Sequence, residues 1–356
     1  MKPVAGRHAV APERVHQKAC PVAISSRARR QLFLLLFVAF VPPRPPPGGT
    51  FSAGVTAQGG GTITFTEWAT TITTSQGGAI LLLADGSGST ITAQTGQVIL
   101  NAQNGGKIVL DDGTRVNLLG GGGNDSAARA TLGANVQLTD STVNIAANGG
   151  GTTALQADGQ ATNGTASTLT ATGTTVNFAG GDAPVGARAL SNGQVTLTDS
   201  TISLTGSDGS KVGVLANSGM LTANQGTTIT VAGTGNDVGA EATSSGTVTL
   251  SGGSVTMPSN VSNERALLAS GAGSTLTADG VTISVPASTG GVGARADTGG
   301  TVTPGAGTSV STGGSGALGL QATGGNSAIT ATGSITVSTS GANGAGVDAD
   351  TGARSR

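Results

Sequence analysis

The nine residues VGARALSNG, starting at Val185, return almost unchanged as VGARADTGG at Val292, 107 positions later (292 − 185). The pair belongs to a longer series. Segments reading VGARA, VGVLA, VGAEA, ALLAS, VGARA, LGLQA and AGVDA begin at Val185, Val212, Val238, Ala266, Val292, Leu318 and Ala345, so the same phrase recurs at a nearly constant step. A fixed period of this size marks a stacked-repeat architecture, in which each repeat touches only its neighbours and the core is a column rather than a sphere. The opening pair is one position of the repeat, seen four rungs apart.

Two further segments share the period. VTLTDSTISLT starts at Val195, LTANQGTTITV at Leu221, VTLSGGSVTM at Val248, LTADGVTISV at Leu276, VTPGAGTSVS at Val302 and ITATGSITVS at Ile329. Backward, LTATGTTVNF starts at Leu169 and VQLTDSTVNI at Val136, a longer step that an inserted loop around GGGTTALQADGQATNG accommodates. Each unit alternates Val, Ile or Leu with Thr or Ser. Side chains of a strand alternate faces, so the apolar set shares one side and the hydroxyls take the other. Gly, Asn and Asp fall between segments, where left-handed backbone is needed. Three short strands and three turns in about 27 residues make one coil of an all-β, right-handed parallel β-helix, a solenoid of roughly triangular section. Ala189, Ala216, Ala242, Ala269, Ala296, Ala322 and Ala349 should form one internal ladder. The chain divides into a basic leader and Pro-rich segment over 1–57, an N-terminal cap with irregular first coils over 58–107, and the repetitive β-helix over 108–356.

Composition limits what the coils can contain. There are 62 Gly, no Tyr, one Trp and six Phe, three of which (Phe33, Phe37 and Phe40) lie in one short apolar run. The core must therefore be built from Val, Ile, Leu and Ala. Disordered chains are poor in β-branched apolar residues, which abound here. Residues 1–47 carry eight Lys or Arg and one acid (+7), and the rest carries nine basic and 17 acidic residues (−8). That body offers no basic stripe for phosphate backbones, so nucleic acid is not an expected partner. Cys20, His8 and His16 are the only Cys and His of the chain, and all three lie in the leader. Past the leader, disulfides, Cys- or His-based nucleophiles and Cys or His metal sites are excluded.

In the leader, Arg27, Arg29 and Arg30 precede an apolar run from Leu32 to Val41. That run is about half of the roughly 20 residues that span a bilayer, and it fits the h-region of an export signal. It leads into PPRPPPGG (Pro42–Gly49), and the nearest small-residue cleavage pattern is VTA before Gln58. An exported protein is expected, as is a shortened N-terminus on the mature form. A misassigned start would produce a similar leader.

The grammar G-[VL]-x-A-x-x-G-G-x-[VL]-T, as in GVGARADTGGTVT (Gly291–Thr303) and GLQATGGNSAIT (Gly319–Thr330), resembles the pertactin-like passenger domains of autotransporters of Gram-negative bacteria. The resemblance covers roughly residues 80–356. It implies an exported passenger displayed at the cell surface, acting as a structural or adhesive rod toward host or neighbouring cells. It also implies a C-terminal translocator barrel in the outer membrane. This chain ends in GVDADTGARSR, within the repeat, which leads to the expectation of a passenger separated from its barrel. With a barrel supplied the expected location is the cell surface or the medium, and without one the periplasm.

Several motifs compete with blander readings. Gly120–Ala128, GGGGNDSAA, matches the calcium nonapeptide G-G-x-G-x-D-x-U-x, yet it is a single copy with Ala127 at the large apolar position, so a loop is expected and no metal. Asp111 and Asp112 resemble the paired carboxylates of polysaccharide-cleaving β-helices but lie where other rungs place a turn. Arg188 and Arg295 share a rung position with Leu215, Glu241 and Gln321, which suits a solvent face. Trp68 is expected to pack in the cap. No catalytic, cofactor or metal residue is assigned, no cofactor is expected, and sparse charge leads to the expectation that the chain is not an enzyme. A polysaccharide lyase or hydrolase is the alternative, and the product of a truncated gene is a third reading.

Overall fold

The computed structural model describes residues 53–355 apart from 59–61, 66–69, 72–79, 86–89, 94–95, 98–99, 111–114, 119–125, 147–150, 182, 207–208, 259 and 351. The chain divides into two units, Met1–Gly49 and Thr50–Arg356. The first lies outside the described residues, as do the apolar run of the leader and Trp68, whereas the VTA before Gln58 lies within the strand Ala53–Gln58.

Among the described residues of the second unit, regular structure is entirely strand. The strands form three parallel sheets of twelve, twelve and eleven members, in which each strand pairs with the third strand before it and the third after it. One coil shows the plan. Val185–Leu190 belongs to sheet 1, Gln194–Thr198 to sheet 2 and Thr201–Leu204 to sheet 3. The next coil repeats it with Val212–Asn217, Met220–Asn224 and Thr228–Val231. The solenoid expected from the period is thus the observed fold.

Register keeps like on like. Ala102, Ala130, Ala157, Ala189, Ala216, Ala242, Ala269, Ala296 and Ala322 follow one another directly in sheet 1, each fully buried. Ala349 continues the column and is exposed. Facing this thin wall are the larger side chains of sheet 2 (Val195, Leu221, Val248, Leu276) and sheet 3 (Ile202, Ile229, Val255, Ile283), all at most 1% exposed. One sheet supplies small residues and two supply bulk, so the narrow interior fills.

The Gly of the VGARA motif has a steric cause. A Cβ on Gly213 would press on the Gly239 carbonyl oxygen of the next coil and on Ile229 Cγ2, and Gly186, Gly239, Gly293 and Gly319 are similarly confined. None of these five has positive φ. They are selected for close approach, while the left-handed positions sit in turns, such as Asp140, Asp199 and Gln225 between sheets 2 and 3. After that turn a hydroxyl column is buried and satisfied: Ser141 Oγ donates to the Thr139 carbonyl at 2.9 Å, Ser200 Oγ to Thr198 at 2.9 Å and Thr227 Oγ1 to Asn224 at 2.7 Å.

The corner from sheet 3 to sheet 1 buries charge. Lys211, Asp237 and Glu264 occupy the same position on three successive coils, each 0% exposed. The Lys211 backbone N–H donates to Asp237 Oδ1 at 2.8 Å, and Lys211 Nζ donates to the Gly209 carbonyl at 3.3 Å. Burial raises the Asp237 pKa, and the Lys211 hydrogen bond and charge oppose that rise. The stability associated with protonated Asp237 is therefore present below the ordinary carboxylate range and lost as pH rises through the raised value.

Denaturant unfolding reads both features. Gly213→Val should cost about 2–3 kcal/mol by overpacking, whereas an outward Thr230→Val should be close to neutral. Lys211→Met should cost about 3–5 kcal/mol at neutral pH by stranding buried carboxylate charge, and the cost should shrink in acid as Asp237 takes up its proton.

Candidate functional site

The long step between Val136 and Leu169 is absorbed at one corner. Thr153–Asp158, the first part of the expected insertion, is an ordinary sheet 1 strand in register with Val185–Leu190. The true excursion is narrower, running from Gly159 to Ser167. It is braced internally: the Ala161 N–H donates to the Thr165 carbonyl at 2.8 Å, Gly164 N–H to Ala161 at 2.9 Å, and Gln160 and Ala166 form an antiparallel bridge. Ser167 Oγ ties its base to the Asp158 carbonyl at 2.9 Å. Gly159 and Gly164 have φ of 73° and 85° with open space around them, so left-handed backbone is what demands glycine there.

The braced loop walls a groove of about 540 Å³ at the junction of sheets 1 and 2. Its size falls within the range of small-ligand sites. The opposite wall is the column of turns after sheet 1, where Asn192, Ser218 and Ser245 have φ of 71°, 52° and 64°. Ser218 Oγ donates to the Ser244 carbonyl at 2.7 Å, which stitches one turn to the next. Gln160, Asn192 and Gln194 are exposed and offer amide donors and acceptors, and no lining side chain carries charge. Met220 is 48% exposed in a register column whose neighbours are Gln194 and Thr247. Neutral amides and hydroxyls around one apolar thioether make a surface for an uncharged, hydroxyl-rich ligand.

The motifs singled out in the sequence fare unevenly. Asp111, Asp112 and residues 120–125 of the calcium-like stretch lie outside the described residues. Ala127 and Ala128, its last two residues, are fully buried in the strand Ser126–Thr131. Among the described residues no three His, Cys, Asp or Glu come together as a metal site. Arg188 and Arg295 do share one register column with Leu215, Glu241 and Gln321, and Leu268 completes it.

The outward face of sheet 1 corrects the impression of dispersed charge. Glu241, Arg265, Arg295 and Asp297 converge on sheet 1 from three successive coils. Arg295 Nη2 bonds Asp297 Oδ2 at 3.1 Å. Burial raises the Glu241 pKa against the opposing charge of Arg265. Burial also lowers that of Arg265, helped by the nearby Arg295 charge. Groups that stand far apart along the chain thus feel one another across coils.

No protein-family profile and no curated protein matches the chain. Among solved structures, the A-module of the mannuronan C-5 epimerase AlgE6 of Azotobacter vinelandii matches at 14% identity with a TM-score of 0.27, covering 75% of this chain and 91% of that one. The matched protein is an enzyme module, and at this level of similarity it carries no argument about the chain; the expectation that the chain is not an enzyme is corrected because sheet 1 gathers Glu241, Arg265, Arg295 and Asp297 across coils. The expectation rested on average charge density, a quantity blind to groups that coil stacking gathers. The match assigns no activity to this chain.

Proposed function

We propose that this chain is the passenger-type portion of an exported, surface-displayed protein that attaches to glycans of host or neighbouring cells. One observation carries the reading: the groove beside Gly159–Ser167, uncharged, rich in amides and hydroxyls, and floored by the exposed Met220. Neutral sugars present hydroxyls in two directions and small apolar C–H faces, which such a lining can meet without paying for desolvated charge. The repetitive coils hold the groove on a regular scaffold, and the lack of Cys beyond the leader suits passage through an outer-membrane pore before folding. A basic leader with a short apolar run supports export.

A second reading, a polysaccharide-active enzyme, is favoured by the convergence of Glu241, Arg265, Arg295 and Asp297 on sheet 1. A carboxyl whose pKa is raised by burial, beside guanidinium groups, suits acid–base work on a carboxylated sugar. Uronate polymers incubated with the protein should release products that a Glu241→Gln variant does not release; identical product from both would remove this reading.

For the glycan reading, binding to immobilised neutral polysaccharides is the measurement. Met220→Asp and Gln160→Ala should each weaken binding about tenfold, roughly 1.4 kcal/mol, without lowering the unfolding midpoint, while Thr230→Ala on sheet 3 should not. Unchanged binding in both groove variants would refute the site. Mass spectrometry of the secreted protein should find an N-terminus beyond the apolar run, and intact Met1 would refute export.

A further inference from the structure

The outward face of sheet 2 is a two-dimensional grid of threonine. Its middle column is Thr170, Thr196, Thr222, Thr249, Thr277 and Thr303, paired without a slip over six coils. One flanking column holds Thr168, Gln194, Met220, Thr247, Thr275 and Thr301, and the other holds Thr172, Thr198, Asn224, Ser251 and Asp279. Parallel strands fix the spacing at about 4.8 Å from coil to coil and about 6.6 Å from one outward residue to the next along a strand. Asp279 is the one charged side chain in the three columns.

Thr ladders can serve packing alone, and sheet 3 illustrates it. There Thr228 Oγ1 donates to Thr201 Oγ1 at 3.3 Å and Asn144 Nδ2 to Asn117 Oδ1 at 2.8 Å, so the ladders bond to themselves. The buried hydroxyls beyond the sheet 2 turn likewise bond to carbonyls. One flanking column of sheet 2 also bonds to itself where Thr275 Oγ1 donates to Thr247 Oγ1 at 3.2 Å, but along the middle column none of the six hydroxyls makes a hydrogen bond within the described residues, and all six side chains are partly exposed. Each presents a hydroxyl and a methyl on a β-branched side chain with restricted χ1, so little rotamer entropy remains to be lost on contact.

A grid with two fixed periods selects a partner with two fixed periods. A single polymer strand repeats in one direction and a fluid membrane in none. Crystalline water repeats in both, with oxygen rows near the coil-to-coil spacing, and its surface is neutral, while this face carries a single charge, at Asp279. We propose that sheet 2 is an ice-binding face, with Thr hydroxyls taking lattice positions and the methyl groups seated between them. Gln194, Met220 and Thr247 of one flanking column also line the groove, whereas no residue of the middle column does, so Thr222 and Thr249 test this face without touching the glycan site.

The test uses the full chain as purified and follows ice-crystal growth in a nanolitre osmometer, together with uptake of fluorescently labelled protein into a growing ice hemisphere. The native protein should shape crystals, depress their growth temperature and enter the ice. Thr222→Tyr and Thr249→Tyr should each abolish these effects while the unfolding midpoint stays unchanged, and Asp279→Thr, which extends the grid, should strengthen them. Thr230→Tyr on sheet 3 controls for fold and should have no effect. Absence of ice shaping by the folded native protein would overturn the proposal, as would ice shaping equal in the sheet 2 and sheet 3 variants. Retention on crystalline cellulose without any effect on ice would also overturn it, in favour of a polysaccharide crystal.

Discussion

Everything in this molecule depends on strands stacking in register at one fixed spacing. A single coil cannot close a core by itself, so each apolar side chain is buried only because the same chemical type lies above and below it. The constraint is strictest in sheet 1. There the interior is so close to the opposite sheets that Ala fills one column, and a neighbouring column holds Gly at Gly186, Gly213, Gly239, Gly293 and Gly319. The bulk removed from sheet 1 is returned by sheets 2 and 3.

The same stacking that satisfies the interior turns outward positions into columns, and the three faces diverge in chemistry. Sheet 2 is largely hydroxylic with one charge at Asp279, sheet 3 carries Asn, Ser and Thr, some of which bond to one another, and sheet 1 alternates charge with Leu. In sheet 1 the sequence Arg188, Leu215, Glu241, Leu268, Arg295 places aliphatic side chains between charged ones on adjacent coils, and Leu215 and Leu268 are each only 8% exposed. Long charged stems can cover their aliphatic neighbours in this arrangement.

Much of the fold was legible because periodicity is a sequence property. The recurring step located the three strands of the coils from Val185 onward, and the Ala column follows from aligning the copies. Other features were not legible, for identifiable reasons. The insertion was placed too broadly because TALQAD does not look like VGARAL, although Thr153–Asp158 performs the same task. Met220 could not be singled out, since its exposure depends on the turns of neighbouring coils. Lys211, Asp237 and Glu264 were not singled out along the chain, because their adjacency exists only across coils. Convergence of Glu241 with Arg265 and Arg295 escaped for the same reason, and with it fell the argument from charge scarcity against catalysis.

The excursion at Gly159–Ser167 has a consequence for how such a chain can change. It adds length at a corner while Leu169 still stacks on Val136 and Ala189 on Ala157, so the columns on either side do not register the insertion at all. Corners are therefore decoupled from the load of holding the stack together. New recognition surfaces can be written there by lengthening or shortening a turn, one coil at a time, while selection on the buried columns continues undisturbed.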